Sequence, residues 1–295
     1  MTGPMPMTPA RRVLLVLGLP VALAFIGALA FNAIALADEV SYHVHRSFAV
    51  GAGPAAVSVD NADAAYRPDP GRRISVTGTL RGSLARPTFT WRASPGSLAL
   101  HTQCRVPTGN CSEAFDITVP ASRSVRLSDS SGDMHASGFS GHVTLSAGSG
   151  DIGASRLSGV LSLADGSGDI AASGLNGSEV TLADGSGDIA VTGLAGQSLR
   201  VADSSGDVSI TGLAGSDVTA RGGSGDITLT FTKVPRRVDV TDATGDVDLV
   251  LPHGSARYQV QAGSQSGTTS VSVPRTTSPA HVILVSAGSG DITIS

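Results

Sequence analysis

A triplet of a small residue, Gly and Asp returns along most of this chain. It ends at Asp133, Asp151, Asp169, Asp188, Asp207, Asp226, Asp246 and Asp291, and "SQSGTTS" sets Thr268 where one more Asp would stand. Successive positions lie 18, 18, 19, 19, 19, 20, 22 and 23 residues apart. A near-fixed period in this range is the sequence sign of a solenoid, in which each unit contacts only its neighbours.

The apolar residues hold their places relative to the Asp. Ile189, Val191, Leu194, Leu199 and Val201 keep the offsets from Asp188 that Ile170, Ala172, Leu175, Val180 and Leu182 keep from Asp169. Pairs at i and i+2 put both side chains on one face of a strand. Each unit therefore reads as two short strands joined by "TGLAG"-type and "ADGSG"-type corners, where Gly permits positive φ and Asp or Ser bonds its own turn. No stretch of the repeats has the period of a helix. A single coil cannot offset the entropy of ordering its backbone; stacking closes the core above and below it. The expected fold is all-β, a parallel β-solenoid of β-helix or β-roll type with coils of 18–23 residues over 121–295. Nine coils about 4.8 Å apart make a rod on the order of 40 Å long.

The repeated Asp admits two readings. In the plainer one it caps an Asx-type turn. The other starts from a second acid four residues earlier in many coils, giving the pairs Asp129 and Asp133, Asp165 and Asp169, Asp184 and Asp188, Asp203 and Asp207, and Asp242 and Asp246. Stacked in register, these make two columns of carboxylates whose members repel by roughly 1 kcal/mol even at water's dielectric. Turn hydrogen bonds could absorb that repulsion, as could Ca²⁺, which takes carboxylate and carbonyl oxygens. The pattern D-x-S-x-D opens like an EF-hand loop but lacks its Gly and distal Glu, and the nine-residue period of calcium β-rolls is missing. Calcium is the one cofactor the sequence raises.

Other motifs fall away. "GSGDIG" at 148–153 matches a dinucleotide fingerprint by letter, but strands surround it and no helix follows to receive a pyrophosphate. His43 and His45 alternate with Tyr42 and Val44 on a strand face. A catalytic pair would be singular, whereas these acids recur in almost every coil, so the chain reads as no enzyme. With a net charge of −4 and no basic run, it offers no groove for nucleic acid.

Residues 13–36, following the cytoplasmic segment 1–12, are a 24-residue apolar run interrupted by Pro20 and Asn32, with Arg11 and Arg12 before it and Asp38 and Glu39 after it. That is long enough to span a bilayer with the arginines inside. Ala35-Leu36-Ala37 also fits a signal-peptide cleavage site. Either way residues 40–295 lie outside the cytoplasm, the expectation being a single-pass anchor in the cell membrane. Cys104 and Cys111, in "CRVPTGNC", are the only cysteines and read as a local disulfide in an oxidising compartment. Residues 40–120 break the repeat rule and read as a β-rich cap holding the only tryptophan, Trp91. The far end stops in a strand, "GSGDITIS", an open edge that invites self-association.

The apolar anchor, the segments "TFTWRA", "SLALHTQC" and "CSEAFDITVP", and the coils "SSGDM", "GSGDI" and "SSGDV" together make the chain resemble the putative-adhesin family of bacterial envelope proteins, over essentially residues 40–295. The resemblance implies a β-solenoid in the envelope, especially of actinobacteria, and carries over no catalytic residues. The functional expectation is a non-catalytic, membrane-anchored extracytoplasmic module that meets a protein or glycan of the envelope. The alternatives are an accessory or sensory envelope-stress protein with a membrane partner, and a Ca²⁺-dependent surface binder.

Overall fold

The computed structural model describes residues 39–51, 53–83, 87–103, 111–121, 124–277 and 280–295. The apolar run 13–36 and Cys104 lie outside them. Among the described residues every regular element is a strand, and no helix is long and apolar enough to cross a membrane.

The first part of the chain forms β1 (Glu39–Ala49), β2 (Ala55–Asp60), β3 (Asp63–Asp69), β4 (Arg73–Ser83), β5 (Thr88–Ser94), β6 (Ser97–Gln103) and β7 (Cys111–Pro120). The repeats follow as β8 (Val125–Asp129), β9 (Met134–Ser137), β10 (Ser140–Ala147), β11 (Ile152–Ser155), β12 (Ser158–Ala164), β13 (Ile170–Asp184), β14 (Ile189–Asp203) and β15 (Val208–Gly222). The last coils are β16 (Ile227–Phe231), β17 (Arg237–Asp242), β18 (Val247–Val250), β19 (Gln259–Ser264), β20 (Thr269–Val271), β21 (Val282–Ala287) and β22 (Ile292–Ile294).

Two parallel ladders run along the molecule, one for each half of a coil. The first is β7–β3–β9–β11–β13–β14–β15–β16–β18–β22–β20. The second is β6–β2–β8–β10–β12–β13–β14–β15–β17–β21–β19. The solenoid is thus as the repeat predicts, with one refinement: β13, β14 and β15 belong to both ladders, because each runs through its "SGL" or "TGL" corner as one bent strand. Gly193, at φ +72°, makes that bend in β14 where an L side chain would be strained.

Alternation sets the core. The residue after each ladder Asp (Met134, Ile152, Ile170, Ile189, Val208, Ile227, Val247 and Ile292) is buried, as are the corner residues Phe139, Leu157, Leu175, Leu194 and Leu213. The intervening residues face outward in a "BeBe" pattern. Nearly all this core is aliphatic, so its stability scales with coil-on-coil contact rather than with a few large rings.

Both ends depart from sequence order. At the far end β21 and β22 insert between β17–β18 and β19–β20. The expectation that the chain's last strand forms the open edge is therefore corrected: the outermost coil is 259–271. Burial explains the choice. Ile283, Val285, Ile292 and Ile294 are buried between two neighbours, while the penultimate coil offers the half-buried Val260, Ala262 and Val271 and puts Thr269 opposite Ile292. The more polar coil takes the place with only one neighbour.

The near end mirrors this. β2 and β3 lie between β8–β9 and β6–β7, so the parallel ladders run on past residue 121 to the strands of 55–120. Beyond them the pairing turns antiparallel, with β4 on β7, β1 on β4 and β5 on β6, which ends the parallel ladders on this side.

Candidate functional site

The ladder positions carry the chain's distinctive chemistry, and the structure gives the two carboxylate rows different duties. In the outer row each exposed Asp accepts, through Oδ1, the backbone N–H of its counterpart in the next coil. Asp151 N–H reaches Asp133 at 3.0 Å, Asp169 reaches Asp151 at 2.9 Å, and Asp188 reaches Asp169 at 2.9 Å. Asp207, Asp226, Asp246 and Asp291 continue the series onto Asp188, Asp207, Asp226 and Asp246 at 2.7–2.9 Å. Thr268 N–H ends it on Asp291 at 2.8 Å, and at the other end Asp133 N–H meets Asp63 at 3.2 Å. Each link is a charge-assisted bond that runs along the axis beside the strand ladders. It sets an N–H dipole between successive carboxylates and so offsets their repulsion.

The Gly before each Asp serves the same contact. A Cβ on Gly206 would lie 1.9 Å from the Gly187 carbonyl oxygen, and one on Gly187 would lie 2.1 Å from that of Gly168. This Gly is required by close backbone approach between coils rather than by the positive φ the sequence suggests, which in this series is seen at Gly290 alone, at φ +111°.

The inner row is interrupted where the sequence lacks the second acid. In register it reads Asp129, Ala147, Asp165, Asp184, Asp203, Gly222, Asp242, Ala287 and Ser264. Its aspartates are buried. Each uses one oxygen to cap its own turn: Asp165 takes the N–H groups of Gly166, Ser167 and Gly168, and Asp203 those of Ser205 and Gly206. Asp129 and Asp184 accept from the residues two and three positions on, and Asp242 accepts from Gly245. Ser264 stands in for the acid in the outermost coil, its Oγ accepting Gly267 N–H at 2.9 Å. The second oxygen of each inner Asp is buried without a protein partner.

Burial pushes the Asp129 carboxyl up to about 6, against the pull of the Gly132 and Ser131 N–H groups. It raises Asp184 and Asp242 in the same way, opposed by Gly187 and Gly245. A carboxyl whose folded pKa exceeds its unfolded value binds its proton more tightly when folded, so stability climbs as pH falls through the folded value. The melting temperature is expected to rise from pH 7.5 to about 5, bounded by the values near 6 and 3.8 for Asp129. Below pH 4 it turns down, because Asp60, held low by the Ser130 hydroxyl, and Asp291, held low by Thr268 N–H, must then be protonated. Asp129→Asn should flatten the rise; a melting temperature that falls steadily from pH 7.5 to 5 would contradict this.

Among the described residues no group of three His, Cys, Asp or Glu side chains is placed to hold a metal ion. His43 and His45 lie along one face of β1, each 3.3 Å from a hydroxyl of β4, Thr79 and Thr77. Cys111 opens β7 and is not a free thiol; Cys104, its proposed partner, is among the residues not described.

Three features carry no signal in the repeat pattern. Asp63 heads the outer row although it stands 70 residues before Asp133, and its triplet reads Asn-Ala-Asp. Ser264 replaces an inner acid. At the near end Phe48, Phe89, Trp91 and Phe115 form an aromatic cluster, with ring centroids 6.4 Å (Phe48–Trp91), 5.6 Å (Phe89–Trp91) and 5.4 Å (Phe89–Phe115) apart.

Fold and site together define a parallel β-solenoid whose repeated acids sit at its coil corners. Residues 112–295 match the Toastrack DUF4097 family, more than half of the chain, and the protein belongs to that family. Solved structures similar to it include a putative cell adhesion protein from Clostridium sporogenes, at 12% identity over 86% of this chain and 99% of that one, with a TM-score of 0.28. A putative adhesin from Bacteroides fragilis shares 14% identity over 86% and 97%, with a TM-score of 0.44. A protein described as a putative lipid binding protein from Parabacteroides distasonis shares 12% over 86% and 97%, with a TM-score of 0.49. No curated protein matches the chain. None of these comparisons indicates a catalytic family.

Proposed function

We propose that the protein is a non-catalytic, adhesin-like rod of the cell envelope, anchored in the membrane through residues 13–36 with residues 40–295 outside the cytoplasm. The observation that carries this reading is where the repeat's carboxylates are spent. The outer row joins coil to coil and the inner row caps turns, so the acids serve the scaffold and not a reaction. The outward rows are small and polar: Ser137, Ser155, Ser173, Thr192 and Thr211 follow one another across the first ladder. A long, evenly spaced hydroxyl row suits an extended partner such as an envelope glycan or another solenoid. The Cys104–Cys111 bridge belongs to the same proposal, as a staple on the near end, and the coil edge open to self-association is 259–271.

The test is fractionation of cells that make the full chain. The protein should stay with membranes through high-salt and alkaline washes, and protease added to intact, wall-stripped cells should digest it. Recovery in the soluble fraction, or protection equal to that of a cytoplasmic marker, would sink the reading.

A further inference from the structure

Among the described residues, the near end of the rod combines features found at no other place. β1 ends the first ladder and β5 the second, and each pairs on one side only. Between them the aromatic cluster reaches the surface: Trp91 is 42% exposed, and Phe48 and Phe89 are half-buried beside it. The Arg46 guanidinium sits 5.1 Å from the centroid of the Trp91 ring. Arg46 shares the Phe48 face of the β1–β4 hairpin, whereas Arg73 and Arg81 pair with Ala49 and Ser41 on its other face and Arg92 alternates with Trp91 along β5. The outer Asp row runs away from this end. The chain enters β1 directly from the 24-residue apolar run, with Ala37 and Asp38 between that run and Glu39.

We propose that this end face rests on the bilayer in which residues 13–36 are embedded, with Trp91, Phe48 and Phe89 at headgroup depth and Arg46 on anionic phospholipid. The proposal builds on the anchor reading above. Aromatic rings with a cation at their rim are the composition that membrane–water interfaces select, and an anionic leaflet attracts such a group at short range. Arg46 can meet both partners, its guanidinium near the Trp91 ring and, beside the Nη1 that donates to the His45 carbonyl at 3.2 Å, further donors for phosphate. Two base contacts, the anchor and the end face, would then hold the rod upright, where a single two-residue tether would leave it free to tilt.

Trp91 is the only tryptophan, so its fluorescence reports on this face alone. The full chain is reconstituted into liposomes of phosphatidylglycerol and phosphatidylcholine, with and without bromine on the acyl chains, and floated on a density gradient. Loss of most of the Trp91 emission in brominated liposomes, with little quenching by aqueous iodide, is the expected result. A second variant, Trp91→Phe combined with Gln261→Trp on the outermost coil, should float equally and keep its emission. Floating protein whose Trp91 is quenched by iodide and not by bromolipid overturns the docking face and leaves the anchor standing. Protein that fails to float overturns both, and equal bromolipid quenching of Trp91 and of the Gln261→Trp reporter overturns docking by the near end.

Discussion

Gly206→Ala is expected to lower the melting temperature by about 6–12 °C, taking about 3 kcal/mol for the clash and 2–4 °C for each kcal/mol in a chain of this size. The new methyl would lie 1.9 Å from the Gly187 carbonyl oxygen and 2.5 Å from its carbon. These are backbone atoms held by ladders on both sides, so neither coil can yield without parting from the next. Gly193→Ala is the control. Its Cβ would meet nothing nearer than 3.9 Å, but the backbone stands at φ +72°, which costs about 1–2 kcal/mol. The two glycines therefore answer differently to Asn. Gly193→Asn should recover part of the loss, because Asn visits the left-handed region, whereas Gly206→Asn should do no better than Ala. Equal, small effects at both positions, read by calorimetry, would show that the coils are not in such close contact.

Ending the chain after Ala280 should damage more than the residues it removes. Without β21 and β22 the outermost coil loses its only neighbour, so residues 252–280 are expected to become protease-sensitive. The truncation also uncovers β17 and β18. Burial of Ile283, Val285, Ile292 and Ile294 is worth about 1.5–3 kcal/mol each, and all of that goes. A chain ending after Pro252 removes the exposed coil as well and leaves one clean edge. The shorter chain should therefore resist limited proteolysis better than the longer one. In a solenoid stacked in simple sequence order, the longer chain would be the sturdier, and that outcome would contradict the inserted coil.

Much of this was legible because the repeat is strict where coils stack in order. From Asp133 to Asp246 the spacing, the inward Ile or Val and the corner Leu together specify strand, register and core. Legibility fails where the chain leaves that order. Asp63 was missed because β4, β5, β6 and β7 lie between it and Asp133 in sequence, so the period that marks neighbours in space is absent. The far end misled for the related reason that adjacency in sequence is only a default; a polar coil goes outermost whenever an apolar one can take the place inside. The carboxylates were recognised as turn and corner residues, but their division of labour depends on which N–H group each oxygen meets. One set turns on its own coil and the other reaches to the next, and only coordinates distinguish them. The aromatic cluster joins Phe89 and Trp91 of β5 to Phe48 of β1 and Phe115 of β7, strands whose meeting no local pattern reveals.

The central claim is that the repeated acids serve the scaffold, as links between coils and as turn caps, without a bound cation. Its most direct test is the melting temperature of the full chain at pH 7.5, in EDTA and then in millimolar Ca²⁺. A cation that bound the folded rows and not the unfolded chain would raise that temperature by linkage. The same midpoint is expected in both solutions. A rise of many degrees with Ca²⁺ would mean that the outer carboxylates are ion sites first and coil-to-coil links second.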